Sequence, residues 1–209
     1  MPGRLVGPDA RIYKGRDIGE VPAPPANIIE ALKSRCELAN DGRIVAETHR
    51  LVLLPATIYG EPLTLKLLRE LASEAGKRRD PSFSDQEWYN NLAFANRPLK
   101  KSEWVLEYEG VAPGTFDKTD SEQVAVVDKL TNYKTASVLE HVGTLVLQDL
   151  ENGERMYSAI NGRCEERSAS GARVAAGDFH AGGLDIYGYG DNYRRDGLGR
   201  AVVRKFGAP

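Results

Sequence analysis

The order in which hydrophobic periodicity changes along the chain is the feature that most restricts its fold. Stretches with helical spacing occupy the middle, whereas short alternating stretches with Gly-rich or polar connections crowd the C-terminal part. We predict strands at 43–59 and 103–109, helices at 63–76, from 120 onward and at 135–150, and strands at 173–179, 183–189 and 198–206. Because strands and helices do not alternate regularly, this order predicts an α+β fold with an antiparallel sheet.

The helix predictions rest on apolar faces and on capping residues. Gly76 stands where a glycine would end the helix at 63–76. The apolar face of that helix consists of Leu63, Leu67, Leu68, Leu71, Ala72 and Ala75. Asp120 and Gln123 have the spacing of a capping box ahead of a helix that carries Val124, Val127 and Leu130.

The first 42 residues differ in texture from the rest. Residues 1–25 contain the cluster Val21-Pro-Ala-Pro-Pro, which predicts an extended, weakly ordered arm. A short helix is expected after Pro25 on the spacing of Ile28, Ile29, Leu32 and Cys36, and it ends at the turn of residues 40–42. We therefore expect an arm and a short helix over 1–42, followed by a single domain over 43–209.

The charge balance indicates no general electrostatic partner. With a formal net charge of -2, we expect neither nucleic-acid binding nor membrane insertion. There is no apolar run of spanning length and no segment of signal-peptide type, which predicts a soluble chain without indicating its location. Cys36 and Cys164 lie far apart in dissimilar contexts and are expected to be unpaired, although a disulfide between them stays an alternative.

The C-terminal part has an unusual composition. Residues 167–204 contain no Lys, Glu, Gln, Met or Trp, whereas the other 171 residues contain 34 of them. All codons for these five amino acids end in a purine, and every residue present in the stretch can be encoded by a codon that ends in a pyrimidine. A segment diversified at the first two bases of such codons would have this composition.

The residues retained in this stretch are also suited to recognition. Tyrosines offer large contact areas with few rotatable bonds, polar side chains supply hydrogen bonds, and eight glycines shape the backbone between them. A turn-rich β-region with no binding role is an alternative, since such regions are rich in Gly and Asp and poor in Lys and Glu.

The interleaving of apolar and polar residues adds a resemblance. The segment Gly171-Ala-Arg-Val-Ala-Ala-Gly-Asp-Phe-His-Ala-Gly-Gly-Leu-Asp-Ile-Tyr alternates framework-like pairs with polar tracts, and the closing segment 196–206 looks wholly structural. This pattern resembles the variable proteins of diversity-generating retroelements, particularly the archaeal and candidate-phylum type. In that family an error-prone reverse transcriptase rewrites adenine positions in the 3′ end of the gene. The resemblance implies a C-type lectin fold related to formylglycine-generating enzymes, with two main helices and a small, mostly antiparallel, twisted sheet.

The resemblance also implies which residues are fixed and which are diversified, with a variable region at about 167–197. The implied framework residues are Arg173, Val174, Gly177, Phe179, Gly183, Leu184, Ile186, Leu198 and Gly199. The implied ligand-facing residues are Asp178, His180, Ala181, Asp185, Tyr187, Tyr189, Asp191, Asn192, Tyr193, Arg195 and Asp196. The implied partner is an unknown protein or other macromolecule. In a strand, Leu184 and Ile186 would face one side, and Asp185 and Tyr187 the other.

The motifs that would indicate an enzyme are absent from the sequence. There is no nucleophile-elbow serine, no His-x-x-x-His pair and no Cys-x-x-Cys. His49 and His141 are interpreted as structural, and His180 as a contact residue, because it has no evident partner for general-base chemistry. We therefore expect no catalytic residue, no metal site and no cofactor.

Two alternatives stay open at this point. One is a relative of the formylglycine-generating oxidases, but these use a pair of C-terminal cysteines for copper and only Cys164 lies in that part. The other is a lectin of fixed specificity, for which Glu61-Pro62-Leu63 is the nearest approach to a calcium-loop motif. Asp191, Asn192 and Asp196 have side-chain oxygens that could bind calcium, but we interpret these residues as solvated turn residues.

Overall fold

One mixed β-sheet with helices against both of its faces forms the fold. The computed structural model describes residues 4–74, 82–84 and 86–206. Its α-helices are α1 (Ile28–Lys33), α2 (Val45–Thr48), α3 (Leu65–Glu74), α4 (Ala93–Asn96), α5 (Asp120–Val127) and α6 (Val138–Asn152). Its strands are β1 (Leu5–Val6), β2 (His49–Leu54), β3 (Thr57–Ile58), β4 (Glu61–Pro62), β5 (Glu103–Val111), β6 (Tyr133–Thr135), β7 (Asn161–Arg167), β8 (Arg173–His180), β9 (Gly183–Tyr189) and β10 (Leu198–Arg204).

The sheet joins strands from both ends of the chain. Neighbouring strands follow the order β1-β2-β5-β10-β7-β8-β9, and β6 pairs with β10 beside this path. Five of the seven pairings are antiparallel, whereas β1 with β2 and β7 with β10 are parallel. Strands β3 and β4 form a separate hairpin. The predicted α+β class is confirmed.

Alternate residues of the central strands face two separate hydrophobic clusters. Val105 of β5 lies in the larger cluster, which contains the apolar sides of α3 and α6. The next residue, Leu106, lies in the smaller cluster with side chains from α1, α2 and α5. Trp104, Leu106 and Tyr108 alternate along β5 and share one of its faces, because all three belong to the smaller cluster.

The N-terminal residues differ from the weakly ordered arm that the sequence predicted. Leu5 and Val6 pair in parallel with Leu51 and Val52, so this segment supplies an edge strand of the sheet. Val6 lies in the larger cluster, together with Ile12 and Tyr13 of a short 3-10 helix, Arg11–Tyr13. Burial of these apolar residues offsets the conformational entropy that is lost when the segment becomes ordered. The many Gly and Pro residues of the segment do not indicate this burial.

Several element boundaries also differ from the predictions. Part of the strand expected at 43–59 is the single helical turn α2, and helix α3 begins at Leu65, with Gly76 outside the described residues. Helix α5 is capped by Thr119 and Glu122, one residue before the predicted pair, because Asp120 is occupied by arginines of the sheet. The helix expected at 135–150 is α6, which ends at Gly153 in a left-handed conformation.

The three predicted C-terminal strands are confirmed within two residues as β8, β9 and β10. A fourth strand, β7, lies between β10 and β8 and was not predicted. Its first four residues, Asn161 to Cys164, are all buried, and buried Asn and Arg side chains give no alternation to detect. Both cysteines are buried and free, with Cys36 in the smaller cluster and Cys164 in the larger one.

Candidate ligand-binding surface

Strand β9 separates a buried face from a solvent-facing one. Leu184 and Ile186 are 1% and 0% exposed and lie in the larger cluster with Phe179 of β8. Asp185, Tyr187 and Tyr189 alternate with them and therefore project from the opposite face. The face separation predicted for Leu184 to Tyr187 matches this arrangement.

Three aromatic side chains form a continuous row on the solvent-facing side, which we call the tyrosine ridge: Tyr187, Tyr189 and Tyr193. The ring centroids of Tyr187 and Tyr189 are 5.6 Å apart, and those of Tyr189 and Tyr193 are 5.1 Å apart in a stacked arrangement. Tyr193 is the most open of the three, with 45% of its surface exposed. Offset aromatic contacts of this kind restrict the rings, so the ridge presents a preformed surface.

A polar cluster continues the ridge at one end. The Tyr187 hydroxyl donates a hydrogen bond of 2.7 Å to Oδ2 of Asp185, and Nε2 of His180 lies 3.8 Å from the same oxygen. Burial and this bond to a carboxylate raise the pKa of Tyr187, so its hydroxyl stays protonated and acts as a donor. Asp185 is 9% exposed, which makes it the least accessible of the eleven ligand-facing residues predicted.

A β-bulge in β8 brings Asp178 and His180 to this surface. The β8–β9 register shifts between Gly177 and His180, and Asp178 adopts a left-handed φ of 51°. Gly177 has a φ of 152°, and a Cβ at this position would overlap the carbonyl oxygen of Ile160. The bulge therefore requires the glycine, and it leaves Asp178 half-buried near the tyrosine ridge, where its charge further raises the pKa of Tyr189.

The remaining predicted residues lie on the loop that joins β9 to β10 and at one hairpin tip. Asp191, Asn192, Arg195 and Asp196 are exposed on that loop, and Ala181 is exposed at the turn between β8 and β9. Burial raises the pKa of Tyr189 and the nearby positive charge of Arg195 opposes this shift, so Arg195 lies beside the ridge. The structure thus brings together the ridge, the polar cluster and Arg195, with Ala181 at the edge.

A buried arginine holds the β9–β10 loop, here called the variable loop (190–196), through its main chain. Arg163 of β7 is 0% exposed, and its guanidinium donates to the carbonyl oxygens of Lys118, Gly190 and Tyr193 at 3.2, 3.3 and 2.7 Å. Burial lowers the pKa of Arg163, although the negative charge of Asp120 opposes this shift. Arg163 was not among the predicted residues.

The same region contains a buried carboxylate that accepts hydrogen bonds from three arginines. Asp120 accepts hydrogen bonds from Arg167, Arg173 and Arg200, and its amide donates to the carbonyl oxygen of Asp191 at 2.9 Å. Burial alone would raise the pKa of Asp120, but the bonds from Arg173 and the charge of Arg200 lower it. The start of α5 is thereby fixed to β7, β8, β10 and the variable loop. In the sequence, this cluster is indicated only by the presence of an arginine in each of the strands β7, β8 and β10.

The other histidines and the cysteines lie away from the candidate surface. His141 pairs with Glu107 between α6 and β5, and both side chains are inaccessible to solvent. His49 bonds to the Tyr133 hydroxyl at 3.0 Å, and burial followed by the charge of Arg204 lowers its pKa to about 3. Within the described ranges, no group of three or more His, Cys, Asp or Glu side chains could hold a metal ion.

Comparison with protein-family models, with curated proteins and with solved structures finds no match to this chain. In the described part of the chain, no helix combines the length and the apolar character needed to cross a membrane.

Proposed function

We propose that this chain is the ligand-binding variable protein of a diversity-generating retroelement and that it recognises a macromolecule through the surface built on β8, β9 and the variable loop. The observation that carries the proposal is the separation of two residue sets within one short stretch. Ten of the eleven residues predicted as diversified are exposed or half-buried, and Asp185 is the exception. The framework residues interleaved with them are buried, apart from the half-buried Arg173.

The composition of residues 167–204 supports the same proposal independently of geometry. A stretch in which every residue is compatible with a pyrimidine-ending codon covers β8, β9 and the variable loop. Side chains that face solvent can change with effects on folding that are typically within about 0.5 kcal/mol. Diversification confined to such positions would alter recognition and leave the core intact.

We further propose that the scaffold is a C-type lectin fold. The support is the pair of longest helices, α3 and α6, packed on one face of a mostly antiparallel sheet, with the C-terminal strand β10 central in it. The helices α1, α2 and α5 on the other face are additions to that plan. The proposal assigns no catalytic role. The oxidase alternative gains no support, since Cys36 and Cys164 lie in different clusters.

The first test reads the DNA that adjoins the gene. The proposal expects a reverse-transcriptase gene and an imperfect copy of the 3′ end of the coding sequence, with differences confined to adenines. Differences should fall in the codons of the ligand-facing residues and spare those of Leu184 and Ile186. A neighbourhood without either feature would contradict the retroelement assignment.

The second test asks whether the protein still folds when this surface is diversified and whether diversified surfaces bind a new ligand. One displayed library randomises Asp178, His180, Tyr187, Tyr189 and residues 192–196, and it is selected for binding to ubiquitin as an arbitrary folded probe. A matched library randomises the buried Val174, Phe179, Leu184 and Ile186, together with as many other buried framework positions as are needed to equalise the number. We expect folded display and ubiquitin binders from the first library and loss of folded display in the second. Equal loss of folding in both libraries, or no binder from a folded first library, would contradict the proposal.

A further inference from the structure

An exposed aromatic residue stands on the loop between β5 and α5, outside the stretch of unusual composition. Phe116 is 42% exposed, although its neighbour Thr115 is fully buried and the loop begins at buried Ala112. An exposed aromatic side chain on a well-anchored backbone is a common feature of recognition surfaces, because little conformational entropy is lost when it is covered.

The backbone beneath Phe116 is fixed by buried hydrogen bonds. The Thr115 hydroxyl donates to the carbonyl oxygen of Ala112 at 2.6 Å and accepts from the amide of Arg200 at 3.1 Å. The side chain of Gln123, on α5, donates to the carbonyl oxygen of Thr115 at 2.8 Å and to that of Leu198 at 3.0 Å. The loop is therefore joined to both β10 and α5, so Phe116 has a defined position.

This loop lies alongside the variable loop. The amide of Asp117 donates to the carbonyl oxygen of Arg195 at 3.4 Å, and Arg163 bridges the carbonyl oxygens of Lys118 and Tyr193. Three residues further on, the amide of Asp120 reaches Asp191. Residues 117–120 thus follow the variable loop by main-chain contacts, and Phe116 borders the same surface.

The surface that these residues share suits a protein more than a small molecule. Two cavities of the described residues, of about 460 and 1220 Å³, are lined neither by Phe116 nor by the tyrosine ridge. The first lies between α4 and residues 165–169, and the second between the segment 22–27 and the end of β10. Small-molecule sites are concave, whereas protein interfaces extend over several hundred Å² and are anchored by a few aromatic side chains.

We propose that Phe116 is a fixed aromatic contact of the recognition surface, adding an invariant apolar anchor for a folded protein partner beside the diversified side chains. The inference rests on the proposed function. It implies that ligands selected through different variable sequences share an apolar group at the position facing Phe116. The retroelement would then vary specificity around one constant contact.

The test uses several independent ubiquitin binders from the library described above, all of which retain Phe116. Affinity for ubiquitin is measured for each binder unchanged and with Phe116→Ala, Phe116→Tyr or Ile29→Ala. Ile29 is the matched control, since it is a more exposed apolar residue on α1. That helix contacts α2 beside β2, which lies towards the other end of the strand order from β9. We expect Phe116→Ala to weaken most binders at least about tenfold. For Phe116→Tyr and Ile29→Ala, the affinity for ubiquitin should stay within about threefold of that of the unchanged binder. The thermal midpoint should be unchanged in all three variants.

Two results would overturn the inference while leaving the proposed function intact. Phe116→Ala could weaken binding no more than Ile29→Ala does, although alanine at the selected residue 193 weakens it strongly. Alternatively, the loss in Phe116→Ala could be matched by a fall in thermal midpoint, which would assign the residue a structural role. Failure to obtain any binder would reject the proposed function, and the inference with it.

Discussion

Arg163→Met is the substitution that most directly tests how the variable loop is held. Methionine keeps an unbranched apolar stem of similar length, so the buried site stays filled while the guanidinium is removed. The carbonyl oxygens of Lys118, Gly190 and Tyr193 then lose their common donor. Arg163 lies outside the variable loop, so the substitution leaves every side chain and every charge of the loop in place.

The expected magnitude follows from opposing contributions. A hydrogen bond from a charged group contributes roughly 1.5–3 kcal/mol, and the bond to Tyr193 at 2.7 Å is the short one of the three. Against this, removal of Arg163 relieves its desolvation and its repulsion from Arg173, and water can reach part of the exposed loop. We expect a net loss of about 2 kcal/mol in the free energy of unfolding, which lowers the thermal midpoint by about 4–8 °C in a chain of this size.

Hydrogen exchange distinguishes a local effect from a global one. In Arg163→Met the amides of residues 190–196 should exchange at least about tenfold faster, whereas amides in α6 should change only as the global stability does. Arg163→Lys should recover part of the protection, because an ammonium keeps the charge but cannot bridge three carbonyl groups. Arg97→Met, at a largely exposed arginine, is the control. Unchanged exchange across 190–196 in Arg163→Met would refute the reasoning.

Three further changes test the fold around the surface. In a denaturation assay, Gly177→Ala should lower the free energy of unfolding by more than about 2 kcal/mol, because the added Cβ would overlap the Ile160 carbonyl. Gly190→Ala is the control and should be nearly neutral, because a Cβ at that position meets nothing within 4 Å. The pKa of His49 falls from 6.5 to about 3 on folding, so only the unfolded state gains a proton between these values. Urea titrations should therefore show about 2 kcal/mol less stability at pH 5 than at pH 7, and His49→Gln should remove that difference. The pKa of Asp120 is lowered on folding, so its contribution is present above about pH 4 and is lost as the pH falls further. Asp120→Asn should be destabilised by about 3–5 kcal/mol at pH 7, and this deficit should shrink in acid.

The elements that could be predicted from the sequence are those whose information is local. Strand β9 has an alternating apolar pattern and a short connection to β8, and α6 has a long apolar face and a glycine at its end. The alternation also separated the side chains of β9 that lie in the larger cluster from those that project away from it. These features need no knowledge of what lies across the sheet.

The elements that escaped prediction depend on partners distant in the chain. Strand β7 contains a buried Arg163 whose acceptors lie 27 to 45 residues away, so nothing close to it in the chain indicates that its side chain is buried. The parallel pairing of β1 with β2 joins residues about 46 positions apart, as Leu5 with Leu51. The cap of α5 was displaced by one residue because Asp120 and Thr119 are both good capping residues, and only the arginines of the sheet decide between them.

The contacts of the variable loop would allow its side chains to change, as the proposed diversification requires. Its position depends on main-chain groups: the carbonyl oxygens of Gly190, Asp191, Tyr193 and Arg195 accept from Arg163, Asp120 and Asp117. Two described bonds to side chains of charged loop residues, Arg167 to Asp191 and Arg194 to Glu122, are exposed pairs of the kind that contribute at most about 1 kcal/mol. A new side chain at these positions therefore changes what the loop presents and leaves its backbone held by residues outside it. For this loop, a buried arginine holds the main chain, and the proposed diversification would act on the side chains alone.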